Sequence, residues 1–528
     1  MTKFVFVTGG VLSGVGKGVT AASIATLLQA RGYSVNIQKC DPYFNVDAGT
    51  LNPAEHGEVF VTKDGAETDL DLGHYERFLN IELTSTSSTM SGRIFRQVIE
   101  DEREGKYLGK TVQIIPHVTN AMQEAILSAA DGYDVHIVEV GGTVGDYEST
   151  AFIEAVRQLK DKLGRHNAIS VHVVYLPYIS ASQEVKSKPA QNAVRDLREV
   201  GIYPDIVVAR ADTEVPDNVI EKLSLFTGIA KEAVVPMPTV DTIYKVPLIV
   251  EDLGVGSLVC NYLQLKDKKP KLQDWRRLVS VITEKSLPTV SVGIVAKYLD
   301  HQDTYASVVE AIKSAAWNLG KKATITWIDA EQLSSANVAT SFKKVDAVVV
   351  PGGFGERGVE GKIIAAQYAL KNNFPYLGLC LGMQVAAIAA FRLAGEKKAN
   401  STEFDPETPS PVIDLMESQK MVAIKGGTMR LGDYECVLNK NSKAARAYGK
   451  TKIVERHRHR YEFNSKYEAT IAKTGLEVVG KNPQTGLAEV VEAKSHPYFV
   501  ASQYHPEFKS RPLAPHPLFQ ELLRSVKK

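Results

Sequence analysis

Short runs of β-branched and aromatic residues alternate along the N-terminal half with stretches whose apolar positions recur every three or four residues. The runs 4–8, 34–39, 135–140, 169–176 and 206–209 read as strands, and the stretches 18–31, 116–130, 149–163 and 190–200 as helices. This alternation predicts βαβ units and a mostly parallel sheet. Near-continuous apolar strands such as Val171-His172-Val173-Val174 fit burial on both sheet faces. The rhythm fails at the polar stretch 266–271 and resumes at 289–296, after Pro288. Two α/β domains are therefore expected, 1–266 and 289–528, joined by a linker at 267–288. In the second, 304–319, 358–370 and 382–393 read as helices, 347–350 and 376–379 as strands, and the Pro-rich polar stretch 395–411 as a loop.

Composition narrows the chemistry. With 62 basic against 61 acidic residues the net charge is +1, so no single-signed field attracts nucleic acid or an anionic membrane. At 44% hydrophobic and 23% charged residues the chain carries enough apolar surface for a large core. The four cysteines, Cys40, Cys260, Cys380 and Cys436, lack the spacing of a zinc or redox motif. Met1-Thr2-Lys3 leads directly into a strand rather than a signal peptide, and no apolar run approaches the roughly 18 residues that span a bilayer. A cytoplasmic protein with no nucleic-acid or membrane partner is expected.

Two places carry chemistry. The block Gly9-Gly10-Val11-Leu12-Ser13-Gly14-Val15-Gly16-Lys17-Gly18 follows the first strand and opens a helix, a geometry in which backbone N–H groups cradle phosphates and Lys17 adds a point charge. It departs from the strict P-loop: five residues separate Gly10 from Gly16, and Gly18 stands where a magnesium-binding Ser or Thr would be. A tight turn with a solvated lysine is the plainer alternative. A phosphate site needs a divalent cation, for which Glu139 at a strand's carboxyl end, Asp69 and Asp71 are candidates; Lys39 ends the second strand and faces either the same crevice or solvent.

The second place is Gly378-Leu379-Cys380-Leu381-Gly382, a strand-to-helix turn whose glycines permit the sharp bend that exposes a nucleophile, with a helix N-terminus favouring its thiolate. His505 supplies a base and Glu507 its orienting carboxylate, on the expectation of an extended segment in which i and i+2 share a side. Gly352-Gly353 offers an oxyanion N–H alongside that of Leu381. The run Arg456-His457-Arg458-His459-Arg460 reads as a solvated or carboxylate-binding strand rather than a metal or nucleic-acid tract.

The motifs 378–384, 351–355 and 505–507 resemble class I glutamine amidotransferases. Those at 6–18, 39–47, 64–78 and 141–149 narrow the resemblance, over nearly the whole chain, to the CTP synthase family. The resemblance implies a P-loop-like synthetase domain followed by an amidotransferase domain, and ATP-dependent amination of UTP through a 4-phosphoryl intermediate, with ammonia from glutamine. It implies that Gly14, Val15, Gly16, Lys17, Gly18 and Val19 bind ATP, with Pro238, Thr239 and Val240 near its adenine. It further implies that Asp71 and Glu139 hold magnesium and that Lys17 and Lys39 act at the transferred phosphate. Ser13, Asp146, Tyr147, Glu148, Lys186, Ser187, Lys188, Pro189, Ala190, Gln191 and Lys222 would contact UTP or the inhibitor CTP, Ala190 standing where the family has Thr. In the amidase half Cys380, His505 and Glu507 are catalytic; Gly353, Leu381, Gly382, Met383, Gln384, Glu403 and Arg460 would bind glutamine, with Phe354 as a cover. Activation by GTP, a homotetramer and filaments belong to the same expectation. The rival readings are an amidoligase of the cobyrinate type and a filament-forming structural protein.

Overall fold

The computed structural model describes residues 1–51, 56–299, 302–416 and 429–526. These divide into two compact units, one of Met1–Asp47 with His74–Val279, the other of Ala48–Gly73 with Ser280–Lys528.

The first unit is built on a parallel sheet of seven strands among the described residues: β1 (Lys3–Gly9), β2 (Val35–Asp41), β3 (Ser88–Met90), β4 (Val135–Val140), β5 (Ala168–Tyr175), β6 (Ile206–Ala211) and β7 (Val234–Pro238). Their order is β7-β6-β5-β1-β4-β2-β3, and every pairing is parallel. The central strands are buried along nearly their whole length, Tyr175 at one end being half-buried, as near-continuous apolar sequences require once helices cover both faces. The order turns back beside β1, so the loops after β1 and β4 open at a switch point, where open α/β sheets hold ligands.

The second unit carries a nine-stranded mixed sheet: β8 (Thr289–Ala296), β9 (Lys322–Asp329), β10 (Ala347–Val350), β11 (Tyr376–Leu379), β12 (Arg430–Leu438), β13 (Lys452–His459), β14 (Leu476–Lys481), β15 (Ala488–Ala493) and β16 (Phe499–Ser502), in the order β9-β8-β10-β11-β16-β15-β14-β12-β13. The first five in that order are parallel and the rest antiparallel. The helix Leu381–Leu393 is apolar all round and almost wholly buried, and it fixes the turn at its N-terminus within the core.

Two local expectations are corrected. The stretch 395–411 is not all loop: Ala399–Ser401 and Ser410–Leu415 pair in a small sheet with Tyr461–Phe463, and Pro411 is accommodated beside a register shift near the strand's start. The stretch 267–288 contains the helix Gln273–Thr283, whose Trp275 and Leu278 are buried and whose Trp275 Nε1 donates to the Tyr244 carbonyl at 2.8 Å. Its flanking lysines mask that short apolar stripe. The segment 48–73, which lies in sequence within the stretch 1–266, groups by contacts with the second unit. Arg458 Nε reaches the Glu67 carboxylate at 2.8 Å, fully buried Arg456 donates to the Val61 carbonyl at 3.1 Å, and Asp433 N–H donates to the Lys63 carbonyl at 2.8 Å. Breaking one partner of such a buried ion pair costs about 3–5 kcal/mol.

Close backbone approach is required at Gly361, on the helix Val359–Asn372, where a Cβ would lie 1.9 Å from the Ala330 carbonyl oxygen. Gly361→Ala is expected to destabilise the second unit by about 1–3 kcal/mol, read as a lower denaturant midpoint. An unchanged midpoint would mean that the helix can move off Ala330.

Candidate functional site

In the first unit the chain leaves β1 at Gly9, runs through the loop 10–16 and enters the helix Lys17–Ala30. Gly16 caps that helix at φ 95°, and Val11 is held at φ 81°, a region that β-branched residues avoid. Lys17 lies buried and donates to the Gly142 carbonyl at 2.6 Å, which joins the loop after β1 to the loop after β4. At the ends of β2 and β4, Lys39 Nζ lies 3.5 Å from Glu139 Oε1 and 3.8 Å from Asp41 Oδ1, all three side chains being buried. Tyr75 donates to the other Glu139 oxygen. Lys39 is thus turned into the crevice rather than to solvent. Asp71, which the division above groups with the second unit, starts the helix Asp71–Leu79.

The remaining candidates of this unit fall into separate places. Val15, Gly16, Val19, Pro238, Thr239 and Val240 line one small cavity of about 90 Å³, together with Arg210, whose Nη1 donates to the Gly14 carbonyl at 3.3 Å. Gly14 and Gly18 belong to the loop and the first helical turn beside it. Lys186, Ser187, Lys188, Gln191 and Lys222 line another, of about 840 Å³. Pro189 is not part of its lining, and Ala190 is buried on the inner side of the helix Lys188–Glu199. The missing Thr therefore removes nothing from the cavity wall. Ser13, Asp146, Tyr147 and Glu148 are exposed and outside both cavities. Asp41, Tyr75 and Arg210 are not among the residues singled out from the sequence, although Asp41 lies in the block 39–47 and Tyr75 in the block 64–78.

In the second unit Cys380 stands between β11 and the helix Leu381–Leu393 at φ 53°, ψ −103°. Its N–H donates to the Ser502 carbonyl at 2.7 Å, and its Sγ lies 3.6 Å from the Arg458 carbonyl and 3.8 Å from Gln503 Nε2. His505 N–H donates to the Arg456 carbonyl at 2.8 Å, and the imidazole Nδ1 lies 2.7 Å from Glu507 Oε1. The expected orientation holds but its backbone does not: Glu507 lies in the 3₁₀ turn Pro506–Lys509, not an extended strand, and the tight turn folds the carboxylate back onto the ring. Burial alone would lower the His505 pKa, but the charges of Glu507 and Cys380 outweigh it and raise it to about 10.

Cys380, His505 and Glu507 open onto a cavity of about 370 Å³, shared with Gly352, Gly353, Phe354, Arg460, Arg458, Tyr298 and Glu58. Glu403 accepts the Gly355 N–H at 2.8 Å, and burial raises its pKa. Lys297 Nζ donates to the carbonyls of Phe354 and Gly355 at 2.5 and 2.8 Å, and burial brings its pKa down to about 8. Leu381 is the first helical residue, so its N–H has no partner within the helix. Gly382 is demanded by packing, since a Cβ would lie 2.0 Å from the Val350 carbonyl. Met383 and Gln384 are buried away from the cavity, Gln384 donating to the Tyr461 carbonyl at 2.9 Å. The basic run forms β13. Arg458 binds a carboxylate as expected, whereas Arg456, His457 and His459 are buried rather than solvated.

Among the described residues no group of three His, Cys, Asp or Glu side chains forms a metal cage, and no helix is long and apolar enough to cross a membrane. A family model described as CTP synthase N-terminus matches residues 3–265, and one described as glutamine amidotransferase class-I matches 300–525. A CTP synthase of Roseiflexus sp. (strain RS-1) is 51% identical over 532 residues, covering 100% of this chain and 95% of its own. One of Herpetosiphon aurantiacus is 51% identical over 529 residues, covering 100% and 99%. A solved structure, the Trypanosoma brucei CTPS glutaminase domain with bound acivicin, is 38% identical with a TM-score of 0.42, over 45% of this chain and 93% of its own.

Because His505 holds its proton to about pH 10 through Glu507 and Cys380, Glu507→Gln should move deprotonation of that ring to lower pH, followed by NMR of the imidazole against a His505→Ala control. An unmoved titration would show that Glu507 does not sustain the charge.

Proposed function

This chain belongs to the CTP synthase family, and we propose on that premise that its two units divide one reaction, the ATP-dependent amination of UTP to CTP with nitrogen from glutamine. The carrying observation is that each unit holds its half of the chemistry: a buried Cys–His–Glu array at one cavity, and a phosphate loop with buried Lys17, Lys39 and Glu139 at a sheet switch point.

A uracil 4-oxygen leaves badly as oxide and well as phosphate. ATP therefore phosphorylates it, and ammonia adds at C4 and expels phosphate, giving CTP, ADP and inorganic phosphate. Lys17 and the loop 14–19 suit the ATP phosphates; Lys39 suits the oxygen under transfer, where fixed charge stabilises a reaction that is mostly positioning and neutralisation. The small cavity of Pro238, Thr239, Val240 and Arg210 suits an adenine ring, and the larger one, with Lys186, Lys188 and Lys222, suits the triphosphate of UTP or of CTP as inhibitor. Ser13 and Asp146 to Glu148, exposed in a single chain, are assigned to the same nucleotide, in keeping with a homotetramer. Magnesium takes one or two carboxylates plus phosphate oxygens, which fits Glu139, already ordered by Tyr75; bound there it would neutralise phosphate charge, and family membership alone names Asp71 as a further ligand.

In the amidase unit Cys380 attacks the glutamine carboxamide, His505 gives its proton to the leaving ammonia, and water then hydrolyses the thioester with His505 as base. Arg460 and Glu403 are suited to the carboxylate and ammonium of the substrate amino acid, while Phe354, stacked beneath the Arg458 guanidinium at 5.1 Å, covers it. GTP as an activator rests on family membership alone.

Cys380→Ala is expected to abolish CTP formation from glutamine and leave formation from ammonium salts near the parental rate. Lys17→Ala should lose CTP from both nitrogen sources and keep basal glutamine hydrolysis. Nucleotide separation and glutamate release measure both; loss of ammonia-dependent synthesis in Cys380→Ala would refute the division.

A further inference from the structure

The loop that follows β10 is gripped by a lysine to which the chemistry above gives no task. Lys362, on the helix Val359–Asn372, is 0% exposed. Its Nζ donates to the Pro351 carbonyl at 2.8 Å and to the Gly352 carbonyl at 3.3 Å. An ammonium group deep in a core is unfavourable unless its donors are used, and burial together with the charge of Lys297 lowers the Lys362 pKa well below the usual value. A side chain kept there against that penalty, with a methylene stem that would pack equally well ended by a methyl group, points to a task for the nitrogen.

The peptide it grips joins two glycines. No Cβ on either side resists rotation of that plane, and Gly353 already sits at φ 153°. In a trans peptide the C=O and N–H vectors point opposite ways, so holding the Gly352 carbonyl on Lys362 turns the Gly353 N–H to the other side. Gly352 borders the reacting groups: a Cβ there would lie 3.6 Å from Cys380 Cβ and 3.0 Å from His505 Cε1. A hydrogen bond donated to the carbonyl also polarises the peptide and makes its N–H a stronger donor.

We propose that Lys362 is a positioning residue for the oxyanion site, pinning the Gly352–Gly353 peptide so that Gly353 N–H, with Leu381 N–H, meets the oxygen that becomes negative when Cys380 attacks. The inference rests on Cys380 as nucleophile. In that step the Sγ–C bond forms and the carbonyl π pair moves onto oxygen, where the two N–H groups receive it. The pair returns as the C–N bond breaks, the nitrogen taking the His505 proton and leaving as ammonia. Lys362 exchanges no proton and touches no substrate atom.

The test is Lys362→Met, which keeps the stem and removes the donor. Losing one oxyanion donor typically lowers kcat about 10²- to 10³-fold, so glutamine hydrolysis should fall by that order with KM little changed. Inhibition by the γ-aldehyde of glutamate, whose adduct places an oxyanion in the same site, should weaken in parallel. Alkylation of Cys380 by iodoacetamide, which needs no oxyanion site, should keep the parental rate and pH profile. Hydrolysis at the parental rate, or alkylation slowed as much as hydrolysis, would overturn the proposal: the first makes the lysine core filling, the second makes it a support for the thiol. Should Lys362→Met not fold, Lys362→Leu, which likewise has no donor, carries the same readouts. A Cys380→Ala protein that still hydrolysed glutamine would instead refute the nucleophile, whatever Lys362 does.

Discussion

Cys380 holds a backbone conformation, φ 53° and ψ −103°, that a residue with a Cβ rarely adopts, and the second unit is arranged around keeping it there. Strain of this kind costs about 1–3 kcal/mol and persists only where the surroundings over-determine it. They do so here by close backbone packing. A Cβ on Gly378 would lie 2.6 Å from the Gly382 carbonyl, one on Gly382 would lie 2.0 Å from that of Val350, and the Cys380 N–H is tied to β16 at Ser502. The sharp bend lifts the sulfur above the sheet, beside a helix N-terminus, and β16 carries the chain on to His505. One local constraint thus sets nucleophile, base and oxyanion donor together.

The first unit solves a related problem with the same materials. Its helix Lys17–Ala30 begins at the end of a central parallel strand, its turn is relieved by Gly16, and its lysine is held against the neighbouring loop by the Gly142 carbonyl. Buried Lys39, Asp41 and Glu139 place opposite charges within 3.5–3.8 Å at the ends of β2 and β4. Such a cluster is poorly solvated and is better satisfied by a polyanion with its cation than by water alone. Charge inside a sheet crevice and charge inside a strand-to-helix turn are both consequences of where parallel strands end.

How much of this was legible in the sequence depended on how local each feature is. The glycine loop 9–18 and the cysteine turn are contiguous blocks with glycines at fixed offsets, and each forms the strand-to-helix turn that its block predicts. His505 and Glu507 were paired correctly through the wrong backbone, since adjacency in sequence brings them together in a turn as well as in a strand. The contacts of the segment 48–73 with Arg456 and Arg458 are not legible in the same way, because those partners lie nearly 400 positions away and nothing in the segment's own pattern announces them. Lys362 and Arg210 leave no signal for a different reason: each is an ordinary residue in an ordinary element, set apart only by what folding places against its polar end. The helix at 273–283 was missed because a single stripe of Trp275, Leu278 and Val279 is too short to stand out between lysines.

The central claim is that one unit makes a phosphate leaving group on the pyrimidine and the other delivers the nitrogen that expels it. UTP labelled with oxygen-18 at C4, incubated with ATP, magnesium and glutamine, tests both halves in one mass spectrum of products. The account predicts CTP and inorganic phosphate in equal amounts, with the heavy oxygen carried into the phosphate. CTP formed while the label appeared in water, or glutamine hydrolysed with no CTP at any nucleotide concentration, would contradict it.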